Sequence, residues 1–316
     1  MKIAAVTVWF NPSEKEKLKF LNNAKTYEEY VEKIFVVDNS KYDNSEIVKN
    51  LDKYIYIYNG NKNGIAGALN AGCRKAVENN FDWVLTMDQD SFFQEEQINN
   101  FIIKSKEIIA NNPQIASIAP AIKNSTSEED LSLETCLKSI IKNQLKKIGL
   151  NNQKKTITYP QQTLFDYKER VITSGNLINL DIWKKVEGFY ELLFIDNVDF
   201  DFCYKLTRNN YKIIMFNNIF MNHNLGISQD KISLFKRKTP LENDFRLYYI
   251  IRNLLIDNYR FPEYKQYHTE LIKKFLFDYL INTIPPFYKV ITVFKAYKDY
   301  KKLKKNNLIK QYQVKQ

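Results

Sequence analysis

Apolar and polar residues fall into blocks along the first third of the chain, and the block lengths name the elements. Apolar runs at 3–10, 33–38, 54–58 and 83–87 are strand-sized. The segments between them, 13–30, a short 44–51 and 64–79, carry their apolar residues at helical spacing. Strands that are apolar on both faces, each followed by a helix, predict a mostly parallel sheet with helices on both sides. Ligands of such sheets bind beyond the C-terminal strand ends, so Asn11, Asp38 and the pair Asp88/Asp90 are expected to meet in one crevice. Farther along, 95–111 predicts a helix, 115–122 a strand and 124–155 a polar excursion. Residues 170–181 predict a strand interrupted by Gly175 that runs into a helix near Asp181, and 211–216 a strand followed by a loop at His223. From about residue 231 the pattern is helical, which divides the chain into a nucleotide-binding and catalytic domain, 1–230, and a helical C-terminal region, 231–316.

Composition narrows the classes. With 316 residues, 44% of them hydrophobic and 14% aromatic, the chain can bury one large core with an appendage. Cys73, Cys136 and Cys203 are far apart and form no CxxC pair, so neither a zinc site nor a disulfide framework is expected, in keeping with a reducing cytoplasm. The opening MKIAAVTVWFNP reads as a first buried strand, not a leader. The weakly charged stretch 275–294 contains Asp278, Lys289 and Pro285-Pro286, so no spanning helix is expected.

A net charge of +11 points to anionic partners. From Lys289 onward lysines outnumber acids, and Val290, Ile291, Val293, Phe294, Tyr297, Tyr300 and Leu303 lie between them at roughly helical spacing. Two readings follow: an amphipathic helix on an acidic membrane, or a terminal helix packed on its own domain. Nucleic acid is disfavoured, because the positive charge sits in the tail while Asp88, Asp90, Asp196 and Asp199 crowd the expected cleft.

The candidate chemistry begins with Asp88-Gln89-Asp90, where the apolar run 83–87 meets solvent. Side chains two residues apart in an extended chain share a face about 6–7 Å apart, so one carboxylate can hold a divalent ion while the other orients a neighbour. Alone, the same residues also suit a plain polar turn. Upstream, Asp38 ends a buried strand in Val36-Val37-Asp38-Asn39-Ser40, placed to accept from a base N–H or a ribose hydroxyl. Gly64, Gly67 and Gly72 open the helix after Asn61, where a diphosphate can approach free amides, although neither GxGxxG nor the P-loop pattern is present. Downstream, a glycine turn at Gly188 precedes Asp196, Asp199 and Asp201 at the start of a helix, and His223-Asn224-Leu225-Gly226 follows a strand.

In this order the segments resemble the family 2 glycosyltransferases with the GT-A fold, most closely their bacterial rhamnosyltransferase branch. The resemblance spans roughly residues 3 to 260, including Ser174-Gly175, Trp183 through Cys203, and the element Arg246, Tyr249 and Arg252-Asn253. Glu187, where glycine is common, and Lys205, where arginine is usual, depart from the pattern. The resemblance implies a Rossmann-like GT-A domain and an inverting transfer from a nucleotide-sugar donor, most simply dTDP-rhamnose, with UDP- or GDP-sugars as the alternative. The acceptor it implies is a hydroxyl of a saccharide, lipid-linked or not, and the enzyme would be peripheral on the inner membrane face and open to homo-oligomerisation. It assigns the donor nucleotide to Thr7, Asn11, Asp38, Asn63, Gly64, Asp88, Gln89 and Arg252, and Mg2+ or Mn2+ to Asp90 and His223, with a salt bridge as the alternative for Arg252 and a diphosphate contact or a structural role as the alternatives for His223. It makes Asp199 the catalytic base, with Asp196 as the competitor, and puts Ser174, Gly175, Trp183 and Asp201 on the sugar side.

Overall fold

A computed structural model describes residues 1–124, 163–223, 244–282 and 287–314. Four strands form the N-terminal half of the sheet: β1 (Ile3–Trp9), β2 (Lys33–Asp38), β3 (Tyr54–Tyr58) and β4 (Trp83–Asp88), parallel throughout and ordered β3-β2-β1-β4. Their alternation sorts residues between two cores. Ala4, Val6, Phe35, Val37 and Val84 face helix α2 (Gly64–Glu78), while Ile3, Ala5, Trp9, Ile34, Val36 and Leu85 face α1 (Glu14–Glu28) and α3 (Glu95–Asn111). The first helix begins where its sequence says it should, since Ser13 and Glu16 close a capping box.

Beyond β4 the sheet becomes mixed. The strands are β5 (Phe92–Phe93), β6 (Ile115–Asn124), β7 (Phe165–Tyr167), β8 (Asn176–Asn179) and β9 (Lys212–His223). The order continues β4-β8-β6-β9-β5, with β7 on β9. β8 is antiparallel to both of its neighbours, whereas β6 and β9 run parallel. Pro120 has no amide hydrogen to give the ladder, and the β6–β9 register shifts between Ala119 and Ala121. Three expectations change. The strand expected over 170–181 is only β8, the 44–51 helix is a single turn at Ser45–Ile47, and β9 continues past residue 216 to His223. The excursion 124–155 lies, apart from Asn124, outside the described residues.

Helices α4 (Leu180–Lys185) and α5 (Val198–Arg208) follow β8, and α6 (Asp244–Arg260), α7 (Lys265–Asn282) and α8 (Phe287–Lys305) form the C-terminal region. That region shares the core of the first: Ile256 and Ile309 belong to the cluster built on α2 and α5, and Tyr300 and Leu303 pack against it. A buried ion pair between Arg260 of α6 and Asp201 of α5, 2.6 Å, ties the two together. Among the described residues no helix is long and apolar enough to cross a membrane. Cys73 and Cys203 are buried free thiols.

Candidate active site

Because β8 runs antiparallel to β4, the turn that precedes it meets the C-terminal end of β4, and the extended β9 brings His223 to the same place. Asp88, Asp90 and His223 thereby offer ligand atoms that all lie within 4.8 Å of one another. The Nε2 of His223 is 3.7 Å from Asp88, and its Nδ1 is 3.7 Å from Asp90 and 2.7 Å from the Ser91 hydroxyl. Ser91 in turn meets Ser174 at 2.8 Å, and the Ser174 oxygen accepts the Asp88 amide at 3.3 Å. This buried hydroxyl chain fixes the imidazole on one side and leaves Nε2 for a ligand, the usual support for a metal-binding histidine. Burial pushes the Asp88 carboxyl above the ordinary range and Asp90 adds to the effect, while His223 opposes it. Two carboxylates and an imidazole so placed suit a hard divalent cation such as Mg2+ or Mn2+, which takes oxygen ligands and retains open positions.

The second acidic group stands on a strained turn. Phe194, Asp196 and Asn197 all have positive φ, at 68°, 60° and 61°. Such backbone persists only where its surroundings hold it. Here α6 does so: the amide of Asn253 donates to the carbonyls of Leu193, Ile195 and Asp196 at 2.7–2.9 Å, and Arg252 to those of Leu192 and Leu193. From the other side, the amides of Ile65 and Ala66 donate to the Phe194 carbonyl. Glu191, just before the turn, binds Asn63 and Asn70.

The turn separates its two carboxylates chemically. Arg246 pairs with Asp196 at 2.6 Å. Asp199 has no ion pair among the described residues; its Oδ1 accepts the Phe200 amide at 3.0 Å. Burial pushes Asp199 up to about 7, against the backbone amides, with the charges of Asp196 and Asp88 adding to the rise. Asp199 therefore has the character of a base poised near neutrality, whereas Asp196 is engaged by Arg246.

Several residues expected at the site are used otherwise. Thr7 is buried in mid-strand against the Tyr27 hydroxyl, two residues short of the end of β1. Arg252 directs its Nε and one terminal nitrogen to Asn253 and to the carbonyls of Leu192 and Leu193, and its guanidinium lies over Tyr249. Trp183 belongs to the core beside Gly188, and Asp201 is fully buried between Arg260 and Lys205. Gly175 is a packing glycine: a Cβ there would meet Met221 sulfur at 2.6 Å. Ser174 acts on Asp88, as described. The α2 amides expected to be free for a diphosphate are occupied by Phe194, and a Cβ on Gly64 would come within 2.2 Å of that carbonyl. Asn63 serves as the left-handed cap of α2.

The remaining residues gather at the strand ends as expected. Asn11 accepts the Lys41 amide, and its own amide donates to Ser40. Asp38 is fully buried, holding the Ser40 amide, Asn44 and Tyr56. The side chain of Gln89 accepts the Phe10 amide at 3.4 Å. Ser91, Asn253, Glu191 and Tyr56 went unassigned by the sequence reading. Ser91 and Asn253 carried a signal by lying directly beside residues that were singled out, and Glu191 by lying within the Trp183–Cys203 segment.

Residues 10–108 match the model of glycosyl transferase family 2. A dTDP-rhamnosyl transferase, RfbF of Shigella flexneri, is 27% identical over 256 residues, covering 80% of this chain and 79% of that protein. The chain is a glycosyltransferase, with a family 2 match over residues 10–108 and similarity to a rhamnosyl transferase.

Solved structures share the GT-A fold with this glycosyltransferase. GalNAc-T7 with UDP, GalNAc and Mn2+ aligns with a TM-score of 0.56 at 12% identity, over 84% of this chain and 50% of that one, so the glycosyltransferase spans half of that structure's length. Residues 1–349 of S. aureus TarS with UDP-GlcNAc align at 0.51 and 15% identity, over 95% and 80% of the two chains. The Pyrobaculum calidifontis mannosyltransferase PcManGT, with GDP-Man and Mn2+, aligns at 0.51 and 12% identity, over 80% and 62%.

Proposed function

We propose that this glycosyltransferase moves L-rhamnose from dTDP-rhamnose, with inversion, onto a hydroxyl of a growing, lipid-linked surface polysaccharide at the cytoplasmic face of the membrane. The observation that carries the transfer is the Asp88/Asp90/His223 cluster at the sheet edge, within electrostatic reach of Asp199, which has no ion pair among the described residues. The donor sugar rests on similarity to the Shigella flexneri dTDP-rhamnosyl transferase.

Asp88, Asp90 and His223 would hold Mg2+ or Mn2+, and a bound ion neutralises charge on a diphosphate leaving group. Asp38, Asn11 and Gln89 lie at the adjoining strand ends, the position for a nucleotide in such a sheet. Asp199 takes the acceptor proton as the hydroxyl attacks the anomeric carbon and the diphosphate leaves from the opposite side. Asp196 is paired with Arg246 and so less free to act on the acceptor.

Calorimetric titration with dTDP, UDP and GDP, each with and without Mn2+, tests the reading. Metal-dependent binding selective for dTDP is expected. Selectivity for UDP or GDP would replace rhamnose by another sugar, and no binding of any of the three would remove the reading altogether.

A further inference from the structure

Helix α8 is apolar on two sides. One side is satisfied: Val293 and Ala296 pack with Leu247 and Ile251 of α6, while Tyr300 and Leu303 reach the main core. The other side is bare. Val290, Ile291, Phe294 and Tyr297 are 50%, 63%, 67% and 45% exposed, and at 3.6 residues per turn they line one face over two turns. The same face continues into Lys298, Lys301 and Lys305, with Lys302 and Lys304 on its flanks. Asp299, the one acid of the helix, points elsewhere and accepts the Tyr248 hydroxyl at 2.7 Å.

We infer that the outer face of α8 is a docking surface for an anionic lipid bilayer, with Val290, Ile291, Phe294 and Tyr297 entering the boundary between headgroups and acyl chains and the lysines lying along the headgroups. A helix lying in the membrane plane needs an apolar strip and adjoining cations, and this face has both in succession. The strip fits no other occupant as well. Four side chains in two turns fall well short of the roughly 800 Å² per partner that a stable protein interface buries. Nucleic acid would answer the lysines and leave the strip in water. The inference stands on α8 alone and holds whichever sugar is moved.

The test uses the full chain, because truncation at residue 289 would uncover the core that Ala296, Ile309 and Tyr312 help to close. Sedimentation with phosphatidylcholine vesicles, with and without phosphatidylglycerol, is compared for the wild type, for the double variant Ile291→Ser/Phe294→Ser and for Lys298→Glu/Lys301→Glu. The wild type should bind only the anionic vesicles, and less at high salt. Each lysine lost should weaken binding roughly fivefold, and the double serine variant should stay in the supernatant. Both variants should keep the wild-type melting temperature and nucleotide binding, so failure of the transferase reading would leave this result untouched. Wild type that stays in the supernatant, or variants that sediment like it, would overturn the inference. So would a wild-type dimer in vesicle-free buffer that the serine variant breaks, which would make the strip a contact between copies.

Discussion

Asp199 is raised to about 7 mainly by burial, and the sign of that shift decides its pH behaviour. A base acts as the carboxylate, so kcat/KM of the free enzyme should fall about tenfold per pH unit below roughly pH 7. The same shift acts on stability in the opposite sense. A folded-state value above the unfolded value of 3.8 favours the protonated fold, and that contribution, complete below about pH 4, is lost as the pH rises through 7. Asp199→Asn should lower kcat roughly 10²- to 10⁴-fold, keep nucleotide affinity, and melt higher than wild type above pH 7. Unchanged turnover would pass the role to Asp196. Ser91 makes a second case at this scale. It touches no ligand but holds His223 Nδ1, so Ser91→Ala should weaken Mn2+ binding about tenfold while donor-free stability changes little, as read by calorimetric metal titration.

At the scale of elements, the turn at 191–197 is held between the N-terminus of α2 and the middle of α6. Asn253→Ala leaves the carbonyls of Ile195 and Asp196 without their side-chain donor and takes one of two donors from Leu193, and should cost on the order of 2–3 kcal/mol, read as a lowered melting temperature. Because the turn sets the start of α5, which carries Asp199, kcat should fall with it while nucleotide affinity holds, a split that a purely global loss of stability would not produce. This arrangement was only partly legible beforehand. The five apolar-run and motif segments announced themselves because buried strands and acids at strand ends leave local patterns. Asp196 and Asn197 are of types that tolerate the left-handed region, but nothing local signals the positive φ of Phe194. Glu187 is the informative exception. Its φ of 63° explains why glycine suits that place, a departure visible in the sequence whose cause was not. The bonds of Arg252 to the Leu192 and Leu193 carbonyls were illegible for a related reason, since a guanidinium can serve backbone carbonyls as readily as phosphate and only the turn's shape brings those carbonyls to it.

For the whole molecule, the metal cluster depends on the entire sheet. Ser91 and Ser174 are 83 residues apart in sequence, and Ser91 and His223 are 132 apart. No local segment can assemble such a cluster, and contacts this distant close late in folding because their loops must be ordered first. Cation uptake is thus a clock for completed folding. In stopped-flow refolding, burial of Trp9 and Trp83 in the parallel half should precede Mn2+ binding, and coincident phases would mean that β9 docks together with β1 and β4. A nascent chain lacking β9 would present Asp88 and Asp90 without their third partner, so a polypeptide interrupted before residue 212 lacks one of the three side chains that would hold the cation.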